Sequence, residues 1–394
     1  MKANTAAGCW VVIVLSAATG LAQQTGIPFE RYDRNKDGKL TPEEFPPRLI
    51  RLFDRMDTNG DGMVDRLEEQ TFHGREDESR RPSIDKSAFP DIVVFERNIA
   101  YAGTKNPRQT LDLMLPTFRQ RGKPLPVIAF IHGGAWRAGS KDGGYDQLFP
   151  FTWTGKYAGA TIGYRLSNEA IWPAQIHDCK AAIRWIRANA GKFQLDPNRI
   201  GVWGPSAGGH LVAVLGTSGD VKELEGDLGP HTSVGSRVTC VADWFGPTDF
   251  CQMDAHRPAG ATMTHDEPKS PESLLIGGAI QLNKPKAARA NPITYVSKDD
   301  PPFLIAHGDR DPLVPCHQSE LLAAALREAG GDVTLIKVLG GDHGNFRSAE
   351  LNRRLELFFD KHLRGAKADI PADPVKQGQG IEPGAPIPAA GDQP

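Results

Sequence analysis

Residues 199–209 read RIGVWGPSAGG. Ile200 to Trp203 is a short apolar run ending at Gly204-Pro205-Ser206-Ala207-Gly208, and a helix-forming stretch begins at about Ala207. A G-x-S-x-G sequence between a strand and a helix fits a sharp turn, where glycines flank the serine because a Cβ would clash. Such a turn lifts the Ser206 hydroxyl above the carboxyl edge of a sheet. The same residues also fit an ordinary strand–helix turn with a capping serine, so the surroundings must decide.

Outward from this turn, strands and helices alternate from about Asp91. FERNIAYA and QTLDLML read as early strands, and PVIAFI (126–131), ATIGYRL, RVTCVADWFG, PPFLIAHGD and VTLIKVLG as later ones. Between them, Ile176, Cys179, Ile183, Ile186 and Ala190 recur at gaps of three and four, which marks one helix face. Ser319–Ala329 reads as another helix, and Leu351, Leu355, Phe358 and Phe359 mark a closing one. This alternation predicts an α/β fold with a mostly parallel sheet covered on both faces. Residues 246–291 have weaker periodicity and read as an insertion near the site.

Three further loops follow predicted strands. His132-Gly133-Gly134-Ala135-Trp136 offers backbone N–H groups unobstructed by side chains, on Gly133 and Gly134. Ala207, after the serine, offers a third. His132 reads as a loop-shaping residue, and Trp136 as either a pocket wall or plain packing. A nucleophilic serine needs a base, and the base an orienting acid. HGDRDPLVP (307–315) supplies Asp311, with Asp309 as its rival, and GGDHGNF (340–346) supplies His343. Asp342 is disfavoured because it would have to curl back onto its neighbour's ring. Ser206, Asp311 and His343 thus occur in the chain order Ser, acid, His.

HGGAW, GPSAGG, HGDRDPLVP and GGDHGNF, in that order, resemble the α/β-hydrolase superfamily. The closest likeness is to its secreted esterase/lipase branch, the feruloyl-esterase-like group related to hormone-sensitive lipases. YRLS (164–167), the helix after Trp172-Pro173-Ala174 and DWFGPTDF (243–250) are similar too, so the resemblance spans about 91–363. It implies Ser206 as nucleophile, Asp311 as acid and His343 as base, with oxyanion donors on Gly133, Gly134 and Ala207. Ala135 stands where lipase relatives often carry a third glycine. The implied activity is carboxylic-ester hydrolysis through an acyl-enzyme with no catalytic cofactor, on acetyl or feruloyl groups of polysaccharides. A peptidase, an arylformamidase, and a non-catalytic hydrolase-fold protein for calcium-dependent binding are the alternatives.

Ahead of this region stand two acidic segments. Asp33-Arg-Asn35-Lys-Asp37-Gly38-Lys39-Leu40-Thr41-Pro-Glu-Glu44 and Asp57-Thr-Asn59-Gly-Asp61-Gly62-Met63-Val64-Asp65-Arg-Leu-Glu68 both fit D-x-[DN]-x-[DN]-G-x5-E. Asp33, Asn35, Asp37, the Lys39 carbonyl and Glu44 would ligate one Ca2+. Asp57, Asn59, Asp61, the Met63 carbonyl and Glu68 would ligate another, with Thr41 or Asp65 acting directly or through water. Leu40 and Val64 are the apolar positions that would pair between the loops. Phe29 and Phe53 suit short entering helices. The pair resembles a compact EF-hand module, although Pro46-Pro47 limits the helix leaving the first loop. Its expected role is structural, or docking to a scaffold or surface partner.

The chain has 394 residues and a formal net charge of −2. That balance argues against a nucleic-acid binder with a basic surface. The first 22 residues pair Lys2 with an apolar run from Trp10 to Leu15, too short to span a bilayer, and Gly20-Leu21-Ala22 suits cleavage. The expected product is secreted or periplasmic, with no membrane span. The remaining divisions are an EF-hand pair at 23–72, a charged linker at 73–90, a catalytic domain at 91–365 and a disordered Pro/Gly-rich tail at 366–394. Past the leader, Cys179, Cys240, Cys251 and Cys316 allow three full pairings or a free state, and sequence does not choose between them.

Overall fold

The computed structural model describes residues 33, 35–44, 53, 57, 61–65, 68, 93–118, 122–219, 221–259, 261, 263–344, 346 and 348–378. The expected leader and linker lie outside these residues, as do Phe29, the Pro46-Pro47 pair and the end of the tail.

Two short strands, β1 (Lys39–Leu40) and β2 (Val64–Asp65), pair antiparallel with Leu40 opposite Val64. Both apolar side chains are fully buried. The main sheet contains β3 (Val93–Ile99), β4 (Leu111–Pro116), β5 (Leu125–Ile131), β6 (Ala158–Ile162), β7 (Leu195–Pro205), β8 (Cys240–Trp244), β9 (Phe303–Gly308), β10 (Val333–Leu339) and β11 (Val375–Lys376). The order is β11-β10-β9-β8-β7-β5-β6-β4-β3. Every adjacent pair in the run β11-β10-β9-β8-β7-β5-β6 is parallel, while β4 pairs antiparallel with β6 and β3 antiparallel with β4. The central strands β5, β6, β8 and β9 are buried along their whole length, which is why they read as continuous apolar runs without alternation.

Seven helices of six or more residues occur among the described residues: α1 (Tyr145–Thr152), α2 (Ala174–Ala188), α3 (Ala207–Thr217), α4 (Pro271–Ile276), α5 (Lys284–Ala290), α6 (His317–Glu328) and α7 (Ala349–Arg364). Ile176, Cys179, Ile183 and Ile186 of α2 pack with Leu211 to Leu215 of α3 and Leu322 and Leu326 of α6 in the core on one sheet face. Tyr145 and Leu148 of α1 join Leu355, Phe358 and Phe359 of α7 in the core on the other. The limits of α7 follow from local chemistry. Ser348 Oγ accepts from Leu351 N at its start, and Gly365 takes φ 74° at its end.

One sequence expectation changes, and one choice left open by the sequence is decided. The tail predicted to be disordered from residue 366 does not begin there. Residues 366–378 lie against the body, with Arg354 donating to the carbonyls of Pro371 and Asp373, and β11 pairing parallel with β10. A buried guanidinium and an open strand edge hold a segment whose composition alone favours no order. Second, Cys179, Cys240, Cys251 and Cys316 are all free thiols, and none of the three pairings forms. Among the described residues no helix is long and apolar enough to cross a membrane.

Candidate active site

Ser206 occupies the turn between β7 and α3 with φ 54° and ψ −123°, a conformation disfavoured for a non-glycine residue. The turn is held from below, where Ser206 N donates to Trp244 O and His210 N donates to Ser206 O. Space explains the flanking glycines. A Cβ on Gly208 would lie 2.1 Å from the Ile131 carbonyl oxygen, and one on Gly204 2.6 Å from the Gly208 backbone.

The three sequence-predicted residues come together here. His343 Nε2 lies 3.0 Å from Ser206 Oγ, and His343 Nδ1 lies 2.7 Å from Asp311 Oδ2. The other Asp311 oxygen accepts from the N–H groups of Leu313 and Val314 at 2.8 and 2.9 Å. Burial pushes this carboxyl up, but His343 and His307, through charge and hydrogen bonds, outweigh burial and hold it well below the usual carboxylate range. The rival Asp309 is exposed and accepts from Gly340 N, tying one loop to the next. Asp342 accepts from the backbone of His343 and not from its ring.

The glycine loop after β5 lies directly against this turn. A Cβ on Gly133 would meet the Pro205 carbonyl at 2.9 Å and Ser206 Cβ at 3.4 Å. Gly134 has φ 110°, followed by positive φ at Ala135 and Trp136. Among the described residues, no loop or turn hydrogen bond uses the N–H of Gly133, Gly134 or Ala207. His132 is buried against Tyr164, with ring centroids 4.2 Å apart, and its Nδ1 lies 2.7 Å from Gly133 O. Burial brings its pKa down to about 4, so it stays neutral and shapes the loop. Trp136 is also buried. Its Nε1 donates to His210 Nδ1 and its ring meets Phe250, so packing is its role.

Three residues were not singled out from sequence. His307 is buried, with Nε2 3.2 Å from Asp311 Oδ2 and 2.9 Å from Val314 O, while Nδ1 lies 2.7 Å from Ser319 Oγ. Its place four residues before Asp311 was the available signal. Phe245, at φ 44°, sets its ring edge-on to His343 at 4.8 Å. Asp243 is buried beneath the turn, and its Oδ1 accepts from Gly246 N.

In the N-terminal loops the acidic side chains fold onto backbone N–H groups. Asp33 accepts from Gly38 N, Asp37 from Lys39 N, and Glu44 from Thr41 N and Asn35 N. Asp57 accepts from Asp61 N and Gly62 N, Asp61 from Met63 N, and Glu68 from Asp65 N. Asn59 lies outside the described residues. Lys39 stands in β1 and Met63 just before β2. Among the described residues, no three His, Cys, Asp or Glu side chains gather into a metal cage. The donor set nonetheless suits a hard cation, being all oxygen. Asp33 Oδ1 also points to one, since it is buried and meets no hydrogen-bond donor among the described residues.

A family profile described as BD-FAE matches residues 111–326, and one described as EF hand matches 28–45 and 49–73. Esterase LipC of Mycobacterium tuberculosis is 33% identical over 64% of this chain and 60% of its own length. Esterase LipQ of the same organism is 31% identical, over 57% and 51%. The chain thus spans little more than half the length of these curated relatives. Among solved structures, a truncated carbohydrate esterase from gut microbiota is 35% identical with TM-score 0.64, over 70% of this chain and 98% of its own. A bifunctional GH43-CE protein of Bacteroides eggerthii is 37% identical with TM-score 0.62, over 68% and 35%.

Proposed function

This chain belongs to the BD-FAE family of α/β-hydrolases and carries EF-hand motifs, and from that premise we propose that it is a serine carboxylic-ester hydrolase. The observation that carries the reading is the chain of contacts from Ser206 through His343 to Asp311, beside N–H groups of Gly133, Gly134 and Ala207. His343 Nε2 takes the Ser206 proton as Oγ attacks the ester carbonyl. Asp311 fixes the proton on Nδ1 and stabilises the imidazolium that forms. The backbone N–H groups receive the oxyanion of the tetrahedral intermediate. His343 then protonates the leaving alcohol, and water repeats the cycle on the acyl-enzyme. Ser206→Ala is expected to lose turnover of 4-nitrophenyl acetate while keeping the wild-type melting profile. Near-wild-type turnover would sink the assignment.

The substrate of this reading is an acetyl or feruloyl ester on a polysaccharide, acted on outside the cytoplasm. The carbohydrate part is supported by the solved relative described as a carbohydrate esterase from gut microbiota. Release of acetate or ferulate from acetylated xylan and feruloylated arabinoxylan tests it. Release from small aryl esters alone would restrict the reading to a small-ester hydrolase. The export part is supported by the N-terminal residues, and fractionation of the expressed full chain tests it.

The same reading gives the N-terminal loops one Ca2+ each. Asp33, Asn35, Asp37, the Lys39 carbonyl and Glu44 would hold one, and Asp57, Asn59, Asp61, the Met63 carbonyl and Glu68 the other. A bound Ca2+ supplies the charge that gathers these oxygens. The buried Leu40–Val64 pair couples the two loops, so ordering one favours the other. Calorimetric titration of the full chain with Ca2+ tests this part separately from hydrolysis.

A further inference from the structure

A cleft of about 550 Å3 separates the two N-terminal loops from the catalytic body. That volume is in the range of small-ligand sites. One wall carries Asp37 and Lys39 of the first loop with Asp61 and Asp65 of the second. The facing wall is the 263–271 segment, with Glu267 and Lys269 exposed on it. Arg137 and Leu313 also line it. These two residues tie the cleft to the chemistry. Arg137 N donates to Gly134 O in the oxyanion loop, and Leu313 N donates to Asp311.

The charge of this cleft depends on calcium. Among the described residues its lining holds Lys39, Arg137 and Lys269 alongside Asp37, Asp61, Asp65 and Glu267. At physiological ionic strength charges are screened over about 8 Å, so the lining groups and the loops behind them decide what enters. Without metal, the loop carboxylates make this wall repel an anion. Two Ca2+ ions would add four positive charges against it and cancel most of the loop charge. Lys39 and Lys269 on the lining then face a wall that no longer opposes an anionic guest.

We propose that this cleft binds a carboxylate-bearing, uronic-acid segment of the esterified glycan, and binds it more tightly when calcium occupies the two loops. The proposal rests on the esterase and calcium readings above. The N-terminal module is then a calcium-responsive part of the substrate site as well as a stable appendage. Because the coupling is reciprocal, the acidic glycan raises calcium affinity by the factor by which calcium raises glycan affinity.

The test uses the full chain as Ser206→Ala, with trigalacturonate as the acidic probe and xylotriose as the neutral one. Each is titrated calorimetrically in Ca2+ and in EGTA. Trigalacturonate is expected to bind about ten-fold more tightly in Ca2+, with a matching rise in calcium affinity. Xylotriose binding should not respond to calcium. Lys269→Glu should reduce the calcium-dependent gain while leaving calcium affinity, measured without glycan, unchanged. Equal trigalacturonate binding with and without Ca2+, an equal gain for xylotriose, or an unaltered Lys269→Glu variant would each overturn the proposal. Absence of Ca2+ binding would overturn it together with the calcium reading. Absence of ester turnover in the wild type would overturn the esterase reading instead, and the binding titrations would still judge the cleft.

Discussion

Asp311→Asn changes one oxygen to an NH2 group and tests the acid directly. Asp311 Oδ1 accepts from two backbone N–H groups, while Oδ2 faces His343 Nδ1 at 2.7 Å. In the variant, the amide oxygen must stay on the two backbone donors, because the flipped amide would set NH2 against both. The NH2 group therefore faces His343 and donates to Nδ1. That forces the ring proton onto Nε2, which points at Ser206 Oγ 3.0 Å away. The serine then meets a donor where it needs a base. Loss of the correct tautomer costs on the order of 10^4 in kcat, or about 5.5 kcal/mol of transition-state stabilisation. His307 keeps its hydrogen bond to Val314 O, so the pocket retains its shape. Steady-state hydrolysis of 4-nitrophenyl acetate measures the effect, with near-ultraviolet circular dichroism to confirm the fold. Asp309→Asn is the companion variant. Its side chain is exposed and an amide oxygen can still accept from Gly340 N, so activity should be little changed. If Asp311→Asn kept activity and Asp309→Asn lost it, the acid would be assigned wrongly.

Three other perturbations separate packing, electrostatics and metal. Gly208→Ala places a Cβ 2.1 Å from the Ile131 carbonyl and 2.8 Å from that of His132, both backbone; thermal unfolding should show a loss of about 1–3 kcal/mol, and an unshifted melt would contradict the tight turn. Burial pushes Asp243 up to about 7, against the opposing pull of Gly246 N–H and His307. The folded state then holds this proton more tightly than the unfolded chain, so stability falls as pH rises from about 4 to about 7, by up to about 4 kcal/mol. Asp243→Asn should match the wild type at pH 4 and exceed it at pH 8 in chemical denaturation, and a gain independent of pH would rule out this origin. EGTA should speed amide exchange across 33–68 in the full chain while 93–378 keeps its protection, and unchanged exchange in the loops would remove the metal from their ordering.

The parts of this protein that could be read from sequence are those whose chemistry is local. Ser206 announces itself because the glycines that relieve its turn are its immediate neighbours. Leu40 and Val64 could be paired on paper because each has a fixed place in a twelve-residue loop. The α2 face from Ile176 to Ile186 is visible because a helix repeats its environment every three or four residues. What stayed hidden depends on contacts between distant residues. His307 reads as an ordinary strand-end histidine until the fold brings Ser319 and Asp311 to its two nitrogens. Asp243 closes an apolar strand and shows nothing unusual until Gly246 and the Ser206 turn enclose it. The order of 366–378 comes from Arg354 and the open side of β10, neither of which belongs to that segment.

That last contact bears on how the molecule behaves among copies of itself. A sheet ends wherever a strand has no neighbour, and a bare parallel strand such as β10 would offer unpaired amides to any extended chain in solution. Here the chain's own residues 375 and 376 take that place beside Val338 and Leu339. Pro374, which has no amide hydrogen to offer, immediately precedes the pairing. At the opposite border β3 presents charged Glu96 and Arg97 to solvent. Both borders thus discourage sheet-to-sheet growth, and a proteolytic cut ahead of residue 375 would expose one of them to self-association.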